Sequence, residues 1–202
     1  MRSDRIISFG FGLLIITVTG CQIEKATDIE PLRTSPFSEV LEDSLQVQKS
    51  TGLVFYDSKL FTGISVSYYE NGVIAEKITY EKGERNGIRQ KWFKSGVLSY
   101  ESNYSSNTLH GQAKSWWSNG YIRSLSNFEA GQSHGIQKEW YSSGQLFKEV
   151  QLAHGKEEGL QRAWRKNGKL YINYEAKNGR IFGMKRANLC YELTNENIVL
   201  ND

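Results

Sequence analysis

Three histidines, two cysteines and a regular series of aromatic residues are the side chains of this 202-residue chain best suited to chemistry. His110 and His134 stand 24 residues apart, each just before a glycine. Two ligands of one zinc ion must each come within about 2.1 Å of it. If a 24-residue unit supplies two strands, equivalent positions fall about 10 Å apart, which keeps these two imidazoles from sharing an ion. His154 lies near Glu157 and Glu158 without a fixed ligand spacing and reads as a solvated loop residue. No metal or other cofactor is therefore expected. Cys190 follows Lys185 and Arg186. It reads as a small apolar residue of a closing strand, and a metal or thiol accessory role is the alternative, because nearby cations activate thiols. Tyr69, Phe93, Trp117 and Tyr141 recur every 24 residues, each directly after another aromatic: Tyr68, Trp92, Trp116 and Trp140. Adjacent strand residues face opposite ways. If the tryptophan row, with Trp164, faces a core, the second row faces outward. Exposed aromatic patches mark binding surfaces, so Tyr69, Phe93, Trp117 and Tyr141 are the candidate binding residues. A hydrolase needs a nucleophile, a base and an orienting group in contact. Residues 53–184 contain one aspartate, Asp57, and no G-x-S-x-G or clustered-glycine phosphate loop, so no enzyme is expected.

The elements that must position these residues are set by glycine spacing. Gly63, Gly87, Gly111, Gly135, Gly159 and Gly183 are 24 residues apart, as are Gly72, Gly96, Gly120, Gly144 and Gly168. A third series is Gly83, Gly131, Gly155 and Gly179, with Asn107 in the missing place. A fixed period of this length marks a repeat architecture. Ile88 to Phe93 and Val97 to Tyr104 carry alternating large residues, as one-faced strands do. Asn71-Gly72, Asn119-Gly120 and Asn167-Gly168 supply the strongest short hairpin signal between such strands. The second connection, such as Ser105 to His110, reads as longer and polar. The expected fold is all-β, an extended antiparallel meander of about five and a half consecutive hairpins over residues 53–184. Leu45 to Lys49 and Leu53 to Tyr56 suggest an irregular opening hairpin, and Met184 to Leu193 a closing strand.

Composition narrows the setting. The formal net charge of +3 is too small and too scattered for a nucleic-acid partner. Arg2 and Arg5 precede an apolar run of fourteen residues, Ile6 to Thr19. That is short of the roughly twenty needed to span a bilayer and has the length of a signal peptide. Val18-Thr19-Gly20-Cys21 resembles the lipobox of bacterial lipoproteins, which implies lipidation at Cys21. Gln22 is not an aspartate, so an outer membrane is the expected address. The expected plan is a signal peptide at 1–20, a tether at 21–43, a repeat domain at 44–193 and a tail at 194–202.

Phe61-Thr62-Gly63, Tyr68-Tyr69-Glu70-Asn71-Gly72 and Trp140-Tyr141-Ser142-Ser143-Gly144-Gln145-Leu146 resemble the MORN-variant repeat. The chain is also similar to the bacterial YwqK-type antitoxin family, many of whose members are lipoproteins. The resemblance implies an all-β repeat sheet with a binding role. A protein or cell-envelope partner is the first expectation, and neutralisation of a toxin by binding is the alternative. The spacing departs from the original, slightly shorter MORN repeat, so the membrane and phosphoinositide binding claimed for that repeat is not carried over.

Overall fold

The computed structural model describes residues 38–184 of the chain. The expected signal peptide, Cys21, most of the expected tether, all but the first residue of the expected closing strand, Cys190 and the expected tail lie outside the described residues. The opening segment forms β1 (Glu39–Leu41), a 3-10 turn (Glu42–Ser44), β2 (Gln46–Val47), β3 (Val54–Tyr56) and β4 (Lys59–Leu60). The repeats form β5 (Gly63–Tyr68), β6 (Ile74–Glu81), β7 (Glu84–Trp92), β8 (Leu98–Ser105), β9 (Thr108–Trp116) and β10 (Ile122–Glu129). They continue through β11 (Gln132–Ser133), β12 (Gly135–Trp140), β13 (Leu146–Ala153), β14 (Lys156–Trp164), β15 (Leu170–Lys177) and β16 (Arg180–Met184).

From β5 onward successive strands pair antiparallel, with β10 pairing both the short β11 and β12, giving the expected meander of hairpins. Two features of the opening depart from the expectation. The opening hairpin exists, with Gln46 opposite Phe55, but β2, β3 and β4 form a separate small sheet. Residues 39–41, assigned to the tether, are instead an edge strand that pairs parallel with β5, Glu39 opposite Ile64. The edge strand of a long sheet exposes unpaired backbone groups; β1 covers this one, and Lys77 fixes it through Glu39 at 2.7 Å.

The two kinds of connection are exchanged relative to the sequence reading. The connection expected to be long and polar is a two-residue turn in every repeat: Lys82-Gly83, Ser106-Asn107, Ala130-Gly131, His154-Gly155 and Asn178-Gly179. Both residues of each turn are left-handed, as at Lys82 (φ 49°) and Gly83 (φ 82°). This is the hairpin turn whose twist matches that of the strands, and it favours Gly or Asn, which is why Asn107 can stand in the glycine series. The Asn-Gly sites instead sit in three-residue loops. There Tyr69 N–H donates to the Val73 carbonyl at 2.8 Å and Gly72 N–H to the Tyr69 carbonyl at 2.9 Å. The remaining glycine series marks bulges. Register slips between Ile78 and Tyr80, Ser102 and Tyr104, and Val150 and Leu152, opposite stretches containing Gly87, Gly111 and Gly159.

Successive hairpins are also tied along the tight-turn edge. Gly83 N–H donates to the Phe61 carbonyl at 2.7 Å, Asn107 N–H to Arg85 at 2.9 Å, Gly131 N–H to Leu109 at 3.0 Å and Gly155 N–H to Ser133 at 2.8 Å. The second residue of these four turns thus reaches back 22 residues.

The core differs from the expected tryptophan row. Trp92, Trp116, Trp140 and Trp164 are each the last residue of a strand and are half-buried. Buried mid-strand positions hold small residues, Ser65, Ser102, Ala113 and Ala163, beside larger ones such as Gln161 and Tyr174. At the opening end Val54, Phe61, Ile78 and Tyr80 form a buried cluster against which Val40 and Leu45 pack.

A polar row runs across the sheet through Lys77, Gln90, Glu101 and Lys114, and through Lys138, Glu149 and Arg162 farther along. Gln90 donates to Glu101 at 2.8 Å. Glu149 accepts from Lys138 at 2.9 Å and from Arg162 at 2.6 Å. Burial alone would push the Glu149 carboxyl up from its ordinary 4.5, but the bonds and charges of Lys138 and Arg162 hold it lower. With a folded pKa below the unfolded one, the unfolded chain binds more protons between the two values. The stabilisation is therefore complete above the unfolded value and lost as pH falls through the folded one. Glu149→Gln should lower stability at neutral pH by about 1–3 kcal/mol and flatten the acid decline. Denaturant titrations at neutral and acid pH check this; an equal loss for variant and wild type on acidification would contradict it.

Candidate binding surface

The aromatic residues expected to face outward close the three-residue loops. Phe93 N–H donates to Val97 at 2.8 Å, Trp117 N–H to Tyr121 at 2.8 Å and Tyr141 N–H to Gln145 at 2.9 Å, repeating the pattern at Tyr69. Each lies just past the end of a strand, where the pairing register also slips, as between Glu139 and Trp140. Period-two alternation stops there, so adjacent aromatics need not face opposite ways.

The ladder is accordingly half-buried rather than openly exposed. Its polar tips join one repeat to the next. Tyr69 Oη donates to the Trp92 carbonyl at 2.6 Å, Trp117 Nε1 to the Trp140 carbonyl at 3.1 Å and Tyr141 Oη to the Trp164 carbonyl at 2.9 Å. Phe93 fills the same place without a polar tip. From the loop tips, Asn71 reaches the Lys94 carbonyl at 3.0 Å and Asn119 the Ser142 carbonyl at 2.8 Å. Burial raises the Tyr141 hydroxyl pKa and the neighbouring Tyr171 adds to it.

Two ladder residues, Trp117 and Tyr141, also line an open cleft of about 640 Å³. Tyr100, Trp140 and Phe147 complete its aromatic lining, so Trp140 and its neighbour Tyr141 look into the same space. Tyr141 and Phe147 have ring centroids 5.0 Å apart and tilted. The floor is a row across four strands, Tyr100, Ser115, Ser124 and Glu139. The Ser115 and Ser124 hydroxyls share a hydrogen bond at 2.6 Å. Arg123 holds its guanidinium 4.8 Å from the Trp117 ring centroid, a cation–π arrangement. Flat aromatic faces beside a guanidinium, a carboxylate and hydroxyls suit stacking and hydrogen bonding to a ligand. The cleft lining contains no histidine or cysteine.

Of the predicted binding residues, Trp117 and Tyr141 are brought together at this cleft, whereas Tyr69 and Phe93 are not among its lining. Arg123, Glu139 and Phe147 were not singled out from the sequence. The cross-strand pairing that assembles the floor appears only once register is known. His134 and His154, read separately in the sequence, also meet on the tight-turn side, with ring centroids 4.7 Å apart.

Residues 61–82, 85–106 and 133–153 match the family model of the MORN repeat variant. No curated protein matches the chain. Each matched segment contains two paired strands and the three-residue loop between them. The unmatched hairpins β9–β10 and β14–β15 repeat that pairing and its slip near the loop. The loop-closing hydrogen bonds likewise recur from Tyr69 to Arg165. Three hairpins of the chain thus match the MORN repeat variant, and the hairpins between and after them keep the same pairing.

Proposed function

We propose that this protein is a lipid-anchored envelope lipoprotein whose β-repeat sheet is a non-catalytic scaffold, binding a protein or cell-envelope polymer through the cleft at Trp117 and Tyr141. The observation that carries the reading is the cleft itself, an aromatic-lined space of about 640 Å³ beside Arg123 and Glu139. A preformed concavity with apolar walls and a few polar groups is where a ligand is held. Tryptophan, tyrosine and arginine are also the residues most enriched in binding hot spots. The anchor rests on the sequence. Arg2, Arg5, the short apolar run and Val18-Thr19-Gly20-Cys21 support acylation of Cys21, with the outer membrane as the destination. More than one acyl chain gives stable membrane attachment.

Cys21→Ala should move the protein from the membrane pellet to the soluble fraction of the cell envelope. Fractionation of cells expressing wild type and variant measures this, and a variant that stays fully in the pellet would sink the anchor. The binding half of the reading is tested at Trp117.

A further inference from the structure

The tight turn between β13 and β14 places a histidine over the preceding repeat. His154 and Gly155 are both left-handed, φ 48° and 79°. The Gly155 N–H donates to the Ser133 carbonyl at 2.8 Å, fixing the turn beside the bulged stretch that starts at His134. The His134 and His154 ring centroids are 4.7 Å apart. Glu129, at the end of β10, brings Oε2 to 3.6 Å from His134 Nδ1. One donor atom from each of the three residues lies within 4.8 Å of the other two. His134 Nδ1 is itself closed off from solvent and has no hydrogen-bond partner. Buried polar atoms are nearly always partnered.

We propose that Glu129, His134 and His154 bind a divalent transition cation of the zinc class. The donor set argues for it. Two imidazole nitrogens and a carboxylate oxygen form a zinc set that leaves a fourth position open. Magnesium and calcium seek oxygen-rich shells instead. Tetrahedral zinc places its donors about 3.4 Å apart. The Glu129–His134 separation of 3.6 Å is already close to that. The widest separation, 4.8 Å, closes by side-chain rotation, since Glu129 and His154 are exposed.

Comparison with the other repeat junctions strengthens the assignment. Twenty-four residues earlier the three places hold Ser105, His110 and Ala130, and before that Glu81, Asn86 and Ser106. Twenty-four residues later they hold Ala153, Glu158 and Asn178. In two of those junctions ordinary hydrogen bonds occupy the same geometry. Asn86 donates to Glu81 at 2.6 Å, and the Asn178 N–H donates to Glu158 at 3.2 Å. Among the described residues, only the junction at residues 129–154 supplies three ligating side chains, and there the Nδ1 is left unpartnered.

The test is calorimetric titration of Zn²⁺ into the purified full chain, without a histidine tag and after chelator treatment. One Zn²⁺ per chain is expected. His154→Asn keeps a residue that tolerates the left-handed turn, as Asn178 does in the next repeat, and removes the imidazole. It and Glu129→Gln should each weaken binding tenfold or more. His110→Ala and Cys190→Ser should leave binding unchanged. No binding by wild type, unaltered binding by His154→Asn, or loss of binding in Cys190→Ser would each overturn the proposal.

Discussion

Gly83→Ala should lower stability by roughly 2–5 kcal/mol, combining left-handed strain of about 1–2 kcal/mol with overpacking of about 1–3 kcal/mol. Gly83 has φ 82°, and a β-carbon there would sit 2.9 Å from the Val54 carbonyl oxygen and 2.9 Å from Leu60 Cδ2. The backbone oxygen cannot step aside as a flexible side chain can. Val54 N–H donates to the Gly83 carbonyl at 2.9 Å, Gly83 N–H to Phe61 at 2.7 Å and Phe61 N–H to Val54 at 2.9 Å. Displacing Gly83 therefore disturbs three backbone bonds that join the small opening sheet to the first repeat. The same shift disturbs the buried cluster of Val54, Phe61, Ile78 and Tyr80. Gly155 is the matched control. It occupies the same turn position at φ 79°, with open space where the β-carbon would go. Gly155→Ala should cost only the strain, about 1–2 kcal/mol. Denaturant midpoints of the two variants decide the matter: equal losses would mean that contact with the opening sheet contributes nothing. A loss at the upper end approaches the lower limit of total stability of a typical domain, about 5 kcal/mol.

The repeat and its hairpins were legible because glycine recurs wherever the backbone must turn left or bulge. The assignment of turn types was not, although the clue was present. Asn107 is the one non-glycine in its series, and asparagine is the residue that best replaces glycine in a left-handed turn. That points to the tight turn at Ser106-Asn107 rather than at Asn71-Gly72. The alternation argument failed at Trp140 and Tyr141 because a register slip intervenes at that strand end. Edge pairing by residues 39–41 was illegible for a different reason: three residues carry too little pattern to announce a strand. The meeting of His134 and His154 escaped a reading based on equivalent positions. These residues occupy different places in the repeat, and a backbone bond between Ser133 and Gly155 joins them across repeats. A search for residues about 20 apart across each tight turn would have found the pair.

Trp117 separates the structural use of the aromatic ladder from its use in binding. Its indole N–H ties one repeat to the next through the Trp140 carbonyl, and its ring lies under Arg123 and along the cleft. Trp117→Ala removes all of these and should cost roughly 2–4 kcal/mol, somewhat less than a fully buried tryptophan because the ring is half-buried. The outward-facing reading implied little loss of stability, and the inter-repeat bond is the reason for the larger figure. Trp117→Phe keeps a ring and loses the donor, for about 1 kcal/mol. Tyr69→Phe loses the equivalent bond to the Trp92 carbonyl, again about 1 kcal/mol, but Tyr69 is absent from the cleft lining. Stability alone cannot distinguish these two phenylalanine variants, whereas retrieval of the partner from solubilised membranes can. With each protein held under conditions where it is fully folded, Tyr69→Phe should retrieve the partner as wild type does. Trp117→Ala should retrieve at least tenfold less, as expected for a tryptophan worth 2 kcal/mol or more at the contact, with Trp117→Phe in between. Equal retrieval by all four proteins would leave the ladder as a staple between repeats and remove the cleft from the binding surface.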